Sequence, residues 1–66
     1  MTALSAQQQR VYDEIARCQR EEGYTPTLRL LGEAMAISQF TAAKHINKII
    51  DKGRARRINS RHIELC

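Results

Sequence analysis

The sequence contains too few cysteine, proline and glycine residues for several classes of protein. Among its 66 residues there are two Cys, one Pro and three Gly, and there is no Trp. Two cysteines do not make the disulfide framework of a small secreted domain, so we expect free thiols in a reducing cytoplasm. The low Pro and Gly content and the absence of repeats argue against a linker or a disordered chain.

Long apolar segments are also missing. No hydrophobic stretch approaches the roughly 20 residues that a membrane span requires, and Met1 is not followed by a basic and then apolar leader. We therefore expect no membrane association and a cytoplasmic location. A domain of this size leaves little room for a catalytic pocket, and the sequence contains no Gly-rich phosphate loop. We expect no enzyme, no catalytic residues and no cofactor.

Metal-ligating residues are scarce. His62 and Cys66 have a spacing that occurs in zinc sites, but no C-x-x-C pair accompanies them. His45 falls at the border of an apolar helix face, where packing is its more common role. We expect no metal site.

Positive charge is present, and it is concentrated in the second half of the chain. Residues 1–37 contain four Lys/Arg and five Asp/Glu, whereas residues 38–66 contain seven Lys/Arg and two Asp/Glu. The net charge of +4 therefore comes from the C-terminal half. Such a concentration of cations is typical of a protein that binds a polyanion.

Hydrophobic periodicity predicts two helices in the first half. The first is expected at about 6–22, with Ser5 and Gln8 forming a capping box and Gly23 ending it. The second is expected at about 28–36 and is capped by Thr27. Its predicted inward residues are Leu28, Leu31 and Met35.

A third helix is predicted at about 39–52, after a tight turn that Ser38 ends as the cap. Its apolar residues recur at helical spacing and share one face. The opposite side combines an aromatic residue, cations and hydrogen-bonding groups, which suits contact with another molecule. The apolar face consists of Ala42, Ile46, Ile49 and Ile50, and the opposite side of Phe40, Thr41, Lys44, Asn47, Lys48 and Asp51.

Residues 54–65 predict a two-stranded β-hairpin that turns near Asn59 and Ser60. Its register is open, because a change of one residue exchanges the two faces. We prefer the two-residue turn, since it buries more apolar surface and fewer charges. The residues facing the helices are Ile58, Ile63 and Leu65 for a two-residue turn, or Ala55, Arg57, Ile63 and Leu65 for a three-residue turn.

A short helix, a tight turn and a longer basic helix form the helix-turn-helix signature, and a hairpin after them forms a wing. The predicted fold is mainly α with a small β-hairpin. It is a single three-helix winged helix-turn-helix domain over residues 1–66, with the wing at 54–65. This fold and its charge favour binding to double-stranded DNA, with the third helix in the major groove.

The first turns of the third helix contain the candidates for base contact, which are Gln39, Phe40, Thr41 and Lys44. Lys44 can donate to guanine O6 and N7, and Thr41 can hydrogen-bond a base or offer its methyl group to thymine. Phe40 can make only apolar or stacking contacts. Two alternatives stay open: Phe40 as a core residue between the helices, and Lys44 as a phosphate contact or a solvated cation.

A second group of residues is expected to contact phosphates. Helix N-termini favour anions, and Arg61 is placed to enter a narrow minor groove. For any single arginine the alternative is a solvated side chain, and for Ser38 it is capping alone. The group comprises Thr27, Arg29, Ser38, Asn47, Lys48, Lys52, Arg54, Arg56, Arg57 and Arg61.

The chain resembles the N-terminal DNA-binding domain of LexA-type repressors over roughly residues 3–65. The resemblance implies a winged helix-turn-helix that binds operator DNA and represses transcription. The matching residues occur in the family's order and spacing: Leu4, Ser5, Gln7, Gln8, Tyr12, Ile15, Gly23, Pro26, Thr27, Ser38, Ala42, His45, Ile46, Lys52 and Gly53.

Three positions depart from the family pattern. The family usually has Asn where Phe40 stands, a smaller apolar residue where Thr41 stands, and an acid where Lys44 stands. The family's usual operator is therefore not expected here. The 66 residues contain no counterpart of the family's second domain, which dimerises and cleaves itself with a Ser/Lys pair, so we expect no such chemistry.

We therefore predict a sequence-specific regulator of transcription, most simply a repressor, from a phage or a bacterium. We expect it to associate with the bacterial nucleoid. Tight binding by so small a module would need a homodimer or several copies on adjacent sites. Two alternatives stay open. One is an architectural or recombination-directionality DNA-binding protein, and the other is a winged-helix module that binds another regulatory protein.

Overall fold

The computed structural model describes residues 3–59 and 62–66, which form three helices and a two-stranded antiparallel hairpin. Each predicted helix agrees with the observed one to within a residue at both ends. The predicted fold class, mainly α with a winged helix-turn-helix arrangement, is confirmed. The elements are α1 (Ala6–Glu21), α2 (Leu28–Met35), α3 (Gln39–Asp51), β1 (Ala55–Asn59) and β2 (His62–Leu65).

Side-chain caps fix the start of every helix at the predicted residue. Ser5 Oγ accepts a hydrogen bond from the Gln8 backbone N–H at 3.2 Å, and Gln8 Oε1 accepts from the Ser5 N–H at 3.1 Å. Thr27 and Ser38 each accept from the N–H three residues onward at 3.1 Å. These bonds satisfy donors that the first helical turn leaves unpaired, and each contributes about 1 kcal/mol.

One hydrophobic core joins the helices to the wing. Helix α3 lies at its centre and contacts α1, α2 and β1. Because α3 is packed on several sides, only one side of it remains for contact with another molecule. The core residues are Val11, Ile15, Leu31, Ala42, Ile46, Ile49, Ala55 and Ile63.

The turn between α2 and α3 passes directly over Gly32. A Cβ atom at this position would lie 2.7 Å from the Ile37 carbonyl oxygen, and the Ile37 N–H donates to the Gly32 carbonyl at 2.9 Å. Ala36 has a left-handed conformation with φ 59°, which reverses the chain at the end of α2. Only glycine allows the turn to approach the helix this closely.

The inward stripe of α2 differs from the prediction at one position. Leu31 is buried and Met35 packs against the core, but Leu28 is 39% exposed. The prediction that Leu28 faces inward is wrong. The close approach at Gly32 brings the middle and end of α2 against the core, while Leu28 in the first turn borders a groove between α2, α3 and the wing.

The preferred hairpin register is also wrong, and the other register is the one observed. Ala55 pairs with Leu65 and Arg57 with Ile63, and the register shifts before Asn59 pairs with His62. Ala55 and Ile63 are 4% and 6% exposed, whereas Ile58 is 48% exposed. The small residue therefore faces the helices.

The base of the hairpin explains this register. The Arg54 N–H donates to the Ile49 carbonyl at 3.1 Å, and the Cys66 N–H donates to the Arg54 carbonyl at 2.9 Å. These bonds hold Ala55 beside the end of α3, where space is limited. Ile58 lies three residues further along the strand, at the shift in register, and its side chain is 48% exposed. Counting apolar area within the hairpin alone ignored the bonds that place Ala55 against α3.

Replacing Gly32 with Ala is expected to lower the free energy of unfolding by about 1–3 kcal/mol, because the new methyl group would overlap the Ile37 carbonyl. Helix propensity alone predicts the opposite sign, a gain of about 1 kcal/mol. Urea unfolding followed by circular dichroism measures the difference.

The matched control is Ala34→Gly, at an exposed position of the same helix. It tests propensity without a close contact and should lose about 1 kcal/mol. A Gly32→Ala variant as stable as the wild type, or more stable, would refute the close approach.

Candidate nucleic-acid interface

The predicted base-contacting residues remain at the surface of α3. Gln39, Phe40 and Lys44 are exposed and Thr41 is half-buried. Thr41 Oγ1 accepts a hydrogen bond from the Ser38 hydroxyl at 3.0 Å, so part of its bonding capacity is used within the helix cap. Its hydroxyl hydrogen is still available for a partner outside the chain.

Phe40 and Lys44 contact each other on this surface. Phe40 is 75% exposed, so the alternative of a core residue between the helices is wrong. The Lys44 ammonium lies 5.9 Å from the centroid of the Phe40 ring, which is within the range of a cation–π interaction. The two side chains are one helical turn apart, the separation that places residues on the same helix face.

A groove of about 120 Å³ lies beside α3, between the start of α2 and the wing. Ala43 and Ile46 of α3 line it together with Thr27 and Leu28 at the start of α2, and Arg57 of the wing closes the other side. The fold thus brings two predicted phosphate-contacting residues, Thr27 and Arg57, to one site next to the third helix. They are separated by 30 positions in the sequence.

Two other predicted phosphate contacts have partners in α1 or near its start. Lys52 Nζ donates to the Ala3 carbonyl at 3.0 Å and to Gln8 Oε1 at 2.6 Å. The Arg54 guanidinium lies 5.5 Å from the Tyr12 ring centroid. The structure therefore gives both cations a role in joining α1 to the end of α3, and their phosphate contacts stay predictions.

The other cations of the group that the structure describes are solvent-exposed. Arg56 Nε donates to Glu64 Oε1 across the hairpin at 3.0 Å, and Arg29 lies 3.6 Å from Glu33 on α2. Exposed pairs of this kind contribute little free energy, so both arginines can exchange partners. Asn47 and Lys48 are exposed on later turns of α3. Arg61 lies outside the described residues.

The wing is held by polar side chains. Gln19 and Thr25 were not singled out from the sequence, and His62 was considered as a metal ligand rather than as a hydrogen-bonding residue. Gln19 Nε2 donates to the Ile63 carbonyl at 2.7 Å and to Thr25 Oγ1 at 3.1 Å, and Thr25 Oγ1 lies 2.7 Å from His62 Nδ1. Gln19 follows Ile15 by four residues and so shares its core-facing side of α1. A polar residue at such a position indicates a hydrogen-bond partner in another element.

A close charge pair lies on α1, away from the predicted contacts. Arg17 Nη2 lies 2.6 Å from Glu14 Oε1, and this hydrogen bond lowers the pKa of the Glu14 carboxyl and raises the pKa of Arg17. No group of three His, Cys, Asp or Glu side chains within residues 3–59 and 62–66 could hold a metal ion. No helix in these ranges is long and apolar enough to cross a bilayer.

Comparison with known proteins gives a consistent family match. A family model described as LexA DNA binding domain matches residues 1–62. The chain is 34% identical over 58 residues to the LexA repressor of Staphylococcus epidermidis, and 38% identical over 58 residues to the LexA repressors of a Geobacillus species and of Halalkalibacterium halodurans. These matches cover 86% of this chain but only 28% of the length of each relative.

Replacing Gln19 with Ala is expected to loosen the wing, because the Ile63 carbonyl and Thr25 both lose their hydrogen-bond donor. We expect a loss of about 1 kcal/mol in stability, with faster hydrogen exchange concentrated in β1 and β2. Urea unfolding and amide exchange measured by NMR provide the two readouts.

Gln9→Ala is the matched control, since the Gln9 side-chain amide donates to Asp13 within α1, at 2.8 Å. Its effect should stay within about 0.5 kcal/mol. If both variants change exchange in the hairpin equally, Gln19 does not anchor the wing.

Proposed function

Because the chain belongs to the LexA DNA-binding domain family, we propose that it is a sequence-specific, double-stranded-DNA-binding repressor of transcription. The observation that supports this most directly is the arrangement around α3. Its exposed Phe40 and Lys44 lie on a helix flanked by a groove that joins Thr27 to Arg57. The proposed role is regulatory rather than catalytic.

The dimensions of α3 suit the major groove. An α-helix with its side chains is about 10–12 Å across, and the major groove is about 12 Å wide. In the proposed complex the first turns of α3 face the base edges. Lys44 donates to guanine, Thr41 and Gln39 hydrogen-bond to bases, and Phe40 makes apolar contact.

The groove beside α3 is the proposed site for the DNA backbone. The N–H groups and the dipole at the start of α2 favour an anion there, and neither α2 nor α3, both described in full, has an acid in its first turn. Arg57 provides a cation on the other side of the same groove. A phosphate between them would fix the position of α3 along the duplex.

Binding would repress transcription by occupying the operator. A single module of this size buries about 600–1,000 Å² on DNA, so we propose that two copies bind together. A two-fold pair requires half-sites whose centres are about 34 Å apart or a multiple of that distance. No contact within residues 3–59 and 62–66 favours the architectural or the protein-interaction alternative.

Selection of bound duplexes from a random pool, at low and at moderate salt concentration, tests the proposed function. We expect a short defined sequence to be enriched at both salt concentrations, with two-fold symmetry if a pair of copies binds. Absence of enrichment, or equal binding to an unrelated polyanion such as heparin, would overturn the proposal.

Lys44→Ala is expected to reduce sequence specificity more than affinity for random DNA. Loss of a good base contact costs about 1–3 kcal/mol of discrimination, whereas Lys48→Ala, further along α3, should weaken binding to all sequences alike. The measurement is the ratio of dissociation constants for selected and random duplexes. An unchanged ratio for Lys44→Ala would show that Lys44 contacts a phosphate or remains solvated, and does not contact a base.

Arg57→Ala is expected to reduce the salt dependence of binding. If about five phosphates are neutralised, the logarithm of the affinity falls with the logarithm of the salt concentration with a slope near −4 to −5, and loss of one contact changes the slope by about one. Arg10→Ala, on the exposed side of α1, is the control and should keep the wild-type slope. Equal slopes for the two variants would place Arg57 outside the interface.

A further inference from the structure

The side chain of Phe40 is left largely uncovered by the part of the chain that the structure describes, residues 3–59 and 62–66. Three quarters of it is accessible to solvent, and a phenylalanine this exposed is uncommon in a soluble domain. The exposed Tyr24 and Leu30 line a different groove, between α1 and α2, to which Phe40 does not belong. The Lys44 ammonium lies over the Phe40 ring, 5.9 Å from its centroid.

This contact makes the two side chains a single unit. Lys44 holds its ammonium over the ring, and the ammonium has three N–H donors, so those that do not face the ring remain available for acceptors. The unit therefore presents an apolar surface and hydrogen-bond donors about 6 Å apart. Stacked bases are about 3.4 Å apart along a strand. Because a hydrogen bond spans about 2.9 Å and an apolar contact about 4 Å, the two groups can contact neighbouring base pairs at the same time.

The major groove offers few groups that match this combination. Its apolar group is the C5-methyl of thymine, and guanine is the base that presents two acceptors, O6 and N7. We propose that Phe40 and Lys44 together recognise a pyrimidine 5-methyl group beside a guanine, Phe40 contacting the methyl group and Lys44 donating to the guanine. The inference rests on the proposed function, since it requires α3 to lie in the major groove.

The same chemistry extends to a modified base. 5-Methylcytosine has its methyl group at the ring position where thymine has one. A methylated cytosine beside a guanine therefore presents the same apolar group and the same acceptors. At this position the protein should bind thymine and 5-methylcytosine similarly, and unmethylated cytosine less well, which makes binding sensitive to cytosine methylation.

Base analogues in the selected duplex test the inference. Each thymine is replaced in turn by deoxyuridine, which removes only the methyl group, and dissociation constants are measured by fluorescence anisotropy. We expect the replacement to weaken binding at one thymine per half-site, which lies beside a guanine. The expected effect is about fourfold, the contribution of one buried methyl-sized group. Cytosine at that position should weaken binding too, and 5-methylcytosine should restore it. Replacing the guanine by 7-deazaguanine should weaken binding about tenfold.

Variants assign these effects to the two residues. Phe40→Ala should bind the thymine and deoxyuridine duplexes equally, and Lys44→Ala should lose sensitivity to 7-deazaguanine. Phe40→Leu keeps an apolar side chain without a ring, so it should still bind the thymine duplex more tightly than the deoxyuridine duplex. In this variant the effects of deoxyuridine and 7-deazaguanine on the dissociation constant should become independent of each other. Arg10→Ala is the control and should keep every preference of the wild type.

The outcomes separate the inference from the proposed function. If no duplex is enriched by selection, the proposed function fails and the inference loses its premise. If a duplex is enriched but every thymine tolerates deoxyuridine, or Phe40→Ala keeps the wild-type preference, the inference alone is overturned. Circular dichroism of the variants verifies the fold, which truncation of a side chain exposed on α3 should leave intact.

Discussion

The close contact between the backbone at Gly32 and the turn before α3 determines the geometry of the candidate interface. Without a side chain at Gly32, the Ile37 carbonyl approaches the helix directly, and Ser38 then starts α3 with its hydroxyl as cap. The direction in which α3 leaves this turn decides where Phe40 and Lys44 lie relative to the start of α2. A bulkier residue at position 32 would move all of them together.

Helix α1 contributes no predicted DNA contact, yet it fixes both ends of the interface. Gln8 near its start accepts a hydrogen bond from Lys52 at the end of α3, and Gln19 near its end donates to the Ile63 carbonyl in the wing. Polar bonds between elements are directional, so they hold the wing in one position where apolar packing alone would allow sliding. Among the described cations of the second half, Lys52 and Arg54 contact α1, whereas Lys44, Lys48, Arg56 and Arg57 are exposed.

Patterns within a short stretch of sequence predicted the helices and the hairpin well. Contacts between different elements were predicted poorly. The caps at Ser5, Thr27 and Ser38 follow from bonds within one turn of helix, so the sequence around each is sufficient to place it. The burial of Leu28 and the hairpin register depend on distances to other elements, and both predictions were wrong. For Phe40, periodicity left a core position and a surface position open, and only the packing of the turn decided between them.

The amino-acid sequence by itself determined the helix bounds, the presence of a hairpin and the concentration of positive charge in the second half, because each depends on residues close together in the chain. Only the tertiary structure decided that Ala55 rather than Ile58 faces the core, that Lys52 and Arg54 contact α1, and that Thr27 and Arg57 share one groove. Those results depend on how elements that are far apart in the sequence pack against one another. No local pattern contains that information.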